Sequence, residues 1–152
     1  MYSEQELEDL WQEFLEHREA SIAYAELPYY EIQAIDLGAV HGENPFSQMM
    51  LPAYDKLSAA TANTRAQILG TVLVAAVEWY RSDHGLYPSS LAQLTPQFVS
   101  EMPIDPFTGN GFLFHSRGSG YLLYSTGKDM RDDGGDPGEY SDEGKDIVIN
   151  DS

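Results

Sequence analysis

Residues 126–146 hold Asp129, Asp132, Asp133, Asp136, Asp142 and Asp146, together with Glu139 and Glu143. Carboxylates at this density suit a hard cation. Calcium takes about six to eight oxygens at flexible geometry, from carboxylates and backbone carbonyls. Gly127, Gly134, Gly135, Gly138 and Gly144 let the chain curl around an ion. The spacing is not that of an EF-hand: counting from Asp129, the third position is Arg131 and the twelfth is Tyr140. A solvated acidic loop is the plain alternative. Without an ion, so much like charge on one loop favours its disorder.

Other chemistry finds little support. His17, His41, His84 and His115 show no metal-ligand spacing, and a chain without cysteine excludes thiolate sites and disulfides. There is no G-x-S-x-G elbow, no P-loop and no G-x-G-x-x-G. Glu78 and Asp83 lie five apart, so they do not share a helical face as a catalytic pair would. Asp105, followed by Pro106, reads as a turn-fixing acid. The pair Met49 and Met50 reads as core or interface.

The chain has 152 residues with 25 acids against 8 bases, a net charge of −17. Nine acids and one base fall in residues 1–31, and nine acids and two bases in residues 129–152. Phosphate backbones repel such a surface, so no nucleic-acid partner is expected. Apolar residues make up 42%, enough for a core. The apolar run 68–77 is too short to span a bilayer. Membrane attachment is therefore expected only through an anchor upstream of this chain.

The elements that must position the loop follow from caps and periodicity. Ser3 and Glu6 form an S-x-x-E capping box, and Leu7, Leu10, Trp11, Phe14 and Leu15 fall on one face of the helix it opens. Pro28 ends that helix at the latest. Its apolar stripe is expected to pack back on the rest of the chain, with docking to a partner as the alternative. Residues 28–44 read as a connector, with Tyr29, Tyr30, Ile32 and Ile35 packing and Gly38 and Gly42 in loop. Residues 1–44 thus form an acidic helical extension. A long helix is predicted over 45–83, with Asn44 as N-cap, Pro45 in the first turn and Gly85 past the end. Phe46, Met50, Ala53, Leu57, Thr61, Thr64, Ile68, Val72, Ala76 and Tyr80 are its predicted apolar stripe, and Pro52 should kink it or mark its true start. After Pro88, Ser90 and Gln93 make a second capping box for a short helix burying Leu91, Leu94, Phe98 and Val99. Strands are predicted over 111–116, 120–125 and 146–150, the first two joined by a tight hairpin. Residues 126–145 carry no strand or helix pattern, which makes them functional or disordered.

Residues 78–88, E-W-Y-R-S-D-H-G-L-Y-P, resemble the helix exit of the major pseudopilins of type II secretion systems, in which Tyr80, Asp83, Tyr87 and Pro88 match a Tyr-x-x-Asp-x-x-x-Tyr-Pro pattern. Met102 to Phe107 resembles that family's Pro-x-Asp-Pro-Trp segment, with Phe107 for Trp. Tyr121 to Asp129 resembles its Ser-Leu-Gly-Ala-Asp strand end, and Asp146-Ile147 its closing Asp-Ile. Order and spacing agree over about half the chain. The family's leader and apolar N-terminal helix have no counterpart in residues 1–44.

The resemblance implies an α+β, pilin-like fold in which a long N-terminal helix packs on a three-stranded antiparallel sheet, here with an extra N-terminal helix. Residues 45–152 would be the pseudopilin-like domain, with its head at 84–152. It implies a non-enzymatic structural subunit of a periplasmic or cell-envelope pseudopilus, with other pseudopilin-like subunits or further copies of itself as partners, and calcium in the loop. Asp129 and Asp146 match family ligand positions and Thr126 a carbonyl donor. Asp132, Asp133 and Asp142 are added from their place in the loop alone. The alternative is a calcium-dependent hydrolase or ligand-binding protein using the same acidic loop.

Overall fold

The structure, a computed structural model, describes residues 2–35, 44–138 and 145–152. The expected loop glycines Gly38 and Gly42 lie outside them. Two compact units are present, Met1–Ala60 and Thr61–Ser152.

In the first unit, α1 (Glu4–Glu26) begins at the predicted box. Glu6 Oε2 accepts the Ser3 backbone N–H at 2.7 Å, and Ser3 Oγ accepts the Glu6 N–H at 3.3 Å. The bonds from Ser3 hold the Glu6 carboxyl below the usual carboxylate range. A short helix, α2 (Tyr29–Gln33), stands where a connector was expected, with Tyr29 and Ile32 buried. It follows Pro28, whose carbonyl accepts from the N–H groups of Glu31 and Ile32. The long helix α3 (Pro45–His84) starts on its predicted cap, since the Phe46 N–H donates to Asn44 Oδ1 at 3.0 Å. Asn44 is buried, and its Nδ2 donates to the Leu10 carbonyl and Glu13 Oε2, both at 2.9 Å. One side chain thus caps α3 and ties it to α1. Trp11, Phe14 and Phe46 complete the joint, with ring centroids 5.2–6.4 Å apart. Of the α1 stripe, Trp11 and Phe14 thus meet α3 at Phe46, while Leu7 stays 43% exposed. The helix α3 runs through Pro52.

The second unit holds the rest of α3, a 3-10 turn (Leu91–Leu94) and strands β1 (Leu113–Ser116), β2 (Tyr121–Ser125) and β3 (Ile147–Asp151). The sheet is antiparallel in the order β1-β2-β3. The α+β architecture of a long helix on a three-stranded antiparallel sheet is therefore present. Gly85 ends α3 with φ 77°, its N–H donating to the Arg81 carbonyl at 2.8 Å. The box after Pro88 sits one residue earlier than expected: Gln93 Oε1 accepts from the Ser89 N–H at 2.7 Å, and Ser90 makes no side-chain cap.

The buried face of α3 in this unit is Ala62, Ala66, Gly70, Leu73, Val77 and Tyr80. Of the predicted stripe, Thr61, Thr64, Ile68 and Val72 are exposed, and Ala76 and Tyr80 are buried. The predicted row therefore crosses from one face to the other. Both faces carry apolar residues at helical spacing, and close approach decides between them. β3 bulges opposite Leu123/Tyr124, which leaves Ile149 without a ladder partner. A Cβ at position 70 would lie 2.7 Å from Ile149 Cγ1, so any other residue there would force that side chain to shift.

β2 is buried along its whole length. Tyr121 and Leu123 share one face with successive residues alternating. Tyr121 stacks edge-on with Tyr87 at the exit of α3, centroids 5.0 Å apart. Leu122 and Tyr124 point to the other face, where residues 126–138 cover them. A Cβ at Gly135 would stand 2.6 Å from Leu122 Cδ2. Residues 126–138 thus form a layer over this face of β2. Among the described residues no helix is long and apolar enough to cross a membrane.

Candidate cation site in the aspartate loop

The loop leaves β2 at Ser125–Thr126 and returns at Asp146. Gly127 turns it at φ 67° and Met130 also has positive φ, 56°. Asp129 is exposed and its Oδ1 accepts the Arg131 N–H at 3.0 Å, closing a local turn. Gly134 and Gly135 follow at φ 75° and 82°, a pair of conformations that side chains resist.

Asp146 is the hub. It is 3% exposed, and its Oδ2 accepts the N–H of Gly135 at 2.7 Å and of Asp133 at 3.1 Å. Its Oδ1 is buried with no hydrogen-bond partner. Burial pushes its pKa above the ordinary carboxylate value, with the two N–H bonds acting the other way and the charges of Asp132 and Asp133 adding to the rise. Thr126, also buried, has an Oγ1 without a partner. Oxygens of this kind are costly to bury unpaired, and a cation is one way to satisfy them.

Asp132 is held from the sheet. Tyr124 Oη donates to Asp132 Oδ1 at 2.8 Å, and the Gly134 N–H donates to the same oxygen at 2.9 Å. These bonds, Gly134 first, hold Asp132 below the usual range. Burial, then the Asp132 bond, pushes the Tyr124 phenol up. His115 Nε2 lies 3.1 Å from Tyr124 Oη. Because that hydroxyl gives its proton to Asp132, His115 must be the donor of the pair. Asp133 Oδ2 lies 3.3 Å from Lys145 Nζ. Asp142 lies outside the described residues.

The structure thus brings Asp132, Asp133 and Asp146 to one turn, and sets Asp129 apart in its own. Among the described residues, no three His, Asp or Glu side chains converge closely enough to hold a metal ion between them. The observation that fits a hard cation is narrower: an unpartnered carboxylate oxygen on Asp146 and an unpartnered hydroxyl on Thr126, both buried.

Two residues outside the predicted ligand set take part. Lys145 enters the loop as a cation. Asp105, 1% exposed, lies against the exit of β2. Its Oδ1 accepts the Phe107 N–H at 2.9 Å, the turn expected for it, and Ser125 and Thr126 supply further bonds. Burial nonetheless raises its pKa. The prolines around Asp105 signalled a turn, and nothing in the spacing signalled that it meets β2.

No protein-family profile, curated protein or solved structure matches the chain.

Proposed function

We propose that the chain is a non-enzymatic structural subunit or interaction module of a pseudopilus-like assembly of the type II secretion kind, working at the cell envelope, with a head stabilised by calcium. The observation that carries the assembly role is the outer face of α3. Ile68 and Trp79 are 59% exposed and Val72 is 46% exposed, in one row at helical spacing, while the opposite face packs on the sheet. A row of this kind is a helix-packing surface left in water, and like subunits or further copies of this chain supply the complement.

Calcium belongs to the same reading. Asp146 and Thr126 would hold it, with Asp129, Asp132, Asp133 and Asp142 as the further candidates. Bound there, the ion supplies positive charge that offsets a dense set of carboxylates and joins the exit of β2 to the entry of β3.

Sedimentation velocity over a range of concentrations tests the assembly role, with Val72→Glu as the variant. The wild type is expected to associate and the variant to stay monomeric with an unchanged circular dichroism spectrum. A wild type that sediments as a monomer throughout, in calcium and in chelator, contradicts the proposal.

A further inference from the structure

The acidic loop contains a cation of its own. Residues 129–152 carry nine acids, and Arg131 and Lys145 are their only bases. Lys145 immediately precedes the hub residue Asp146. Its Nζ lies 3.3 Å from Asp133 Oδ2 and 4.0 Å from Asp136 Oδ2. The Lys145 and Asp133 side chains are 32% and 29% exposed, so this pair is more sheltered than most surface ion pairs. The same turn is gripped at its backbone: Asp146 Oδ2 takes the N–H groups of Asp133 and Gly135, and the Asp146 N–H donates to the Asp136 carbonyl at 3.2 Å. Two successive residues therefore hold one turn, Asp146 by its peptide groups and Lys145 by its charges.

We propose that Lys145 is the resident counter-ion of this loop, its ammonium bridging Asp133 and Asp136 so that residues 132–136 stay folded on the sheet when no divalent ion is bound. Neutralising it leaves Asp132, Asp133, Asp136 and Asp146 to repel one another across a turn that covers Leu122 and Tyr124. Calcium and Lys145 then serve the same turn, and this second part rests on the calcium reading above.

Thermal melts of the whole chain, in EGTA and in calcium, test both parts. Lys145→Met keeps most of the side-chain stem and removes the charge. In EGTA at low salt it is expected to melt about 2–5 °C below wild type. The gap should narrow toward 1 M salt, and Lys145→Arg should restore the wild-type value. Combining Lys145→Met with Asp133→Asn should cost less than the sum of the two, since each removes the same pair. A Lys145→Met chain that melts with wild type in EGTA at low salt, or a double variant that is fully additive, overturns the counter-ion role. Calcium should raise Lys145→Met more than wild type. If it raises neither, the calcium reading falls, and the EGTA arm still decides the role of Lys145.

Discussion

The two compact units are held by different means. In Met1–Ala60 the contacts of the described residues include a buried asparagine with three side-chain hydrogen bonds, an aromatic triad, a capping box on an exposed helix and the buried Tyr29 and Ile32. In Thr61–Ser152 a central strand is buried on both faces, by a helix on one side and an acidic loop on the other. Their shifted acids also differ: an exposed one in the first unit, two buried ones in the second. Bonds from Ser3 lower Glu6 in the first unit, whereas burial raises Asp105 and Asp146 in the second. Among the described residues of the first unit, caps and polar ties stand beside an aromatic triad and two buried side chains. The second depends on apolar packing and tolerates strained carboxylates inside it.

The largest effect should come from cutting the packing of the second unit. Leu123→Ala removes a fully buried side chain from the middle of β2 and should cost about 2–5 kcal/mol, read by chemical denaturation. A cost below 1 kcal/mol, on the order of a surface change, would break the contrast. Gly70→Val comes next, because its added atoms meet Ile149. Overpacking costs about 1–3 kcal/mol, less whatever valine gains over glycine in helix propensity. In the first unit Asn44→Ala should cost about 1–2 kcal/mol, since it deletes the cap of α3 and two bonds to α1 together. If that loss also lowers the melting of residues 61–152, the units are not separately stabilised.

A smaller effect distinguishes the acids by pH. A carboxyl whose folded pKa is raised favours the protonated, folded state. Its contribution is fully present below the unfolded value and lost as pH rises through the folded one. For Asp105, whose pKa is raised by burial, the stability of the second unit should therefore rise as pH falls through the raised value toward the ordinary carboxylate value. Asp105→Asn should flatten that rise. Glu6 has the opposite sign: its contribution is present above the ordinary value and lost as pH falls through the lowered one. Asp132 shares the sign of Glu6 and offsets part of the slope in the second unit. An Asp105→Asn slope equal to wild type would show that this buried acid is paired well enough to titrate normally.

Much of this frame is legible in residue types. Ser3 with Glu6, Asn44 with Pro45, and Gly85 each mark a helix end, because few residue types satisfy the free peptide groups there. The strands are legible as aromatic and aliphatic runs between glycines. The buried face of α3 is not, since Ile68 and Val72 look more like core than Ala66 and Gly70 do. The choice is made by a bulge in β3 that no local pattern in α3 reveals. The 3-10 turn shows the same limit on a smaller scale: Ser89 and Ser90 are equivalent in sequence, and the backbone selects Ser89. At the candidate site, Asp146 and Asp133 are visible as acids of the loop. That Tyr124 reaches out of the sheet to Asp132, and that Lys145 lies between Asp133 and Asp136, follows from how the loop folds over Leu122.

A head closed around a cation at Asp146 is tested most directly by a thermal melt in millimolar calcium and in EGTA, with wild type beside Asp146→Asn. The account predicts a melting temperature several degrees higher for wild type in calcium, and no calcium-dependent change for Asp146→Asn, whose amide retains an acceptor for the Asp133 and Gly135 N–H groups. A wild-type melt that is the same in calcium and chelator would contradict it.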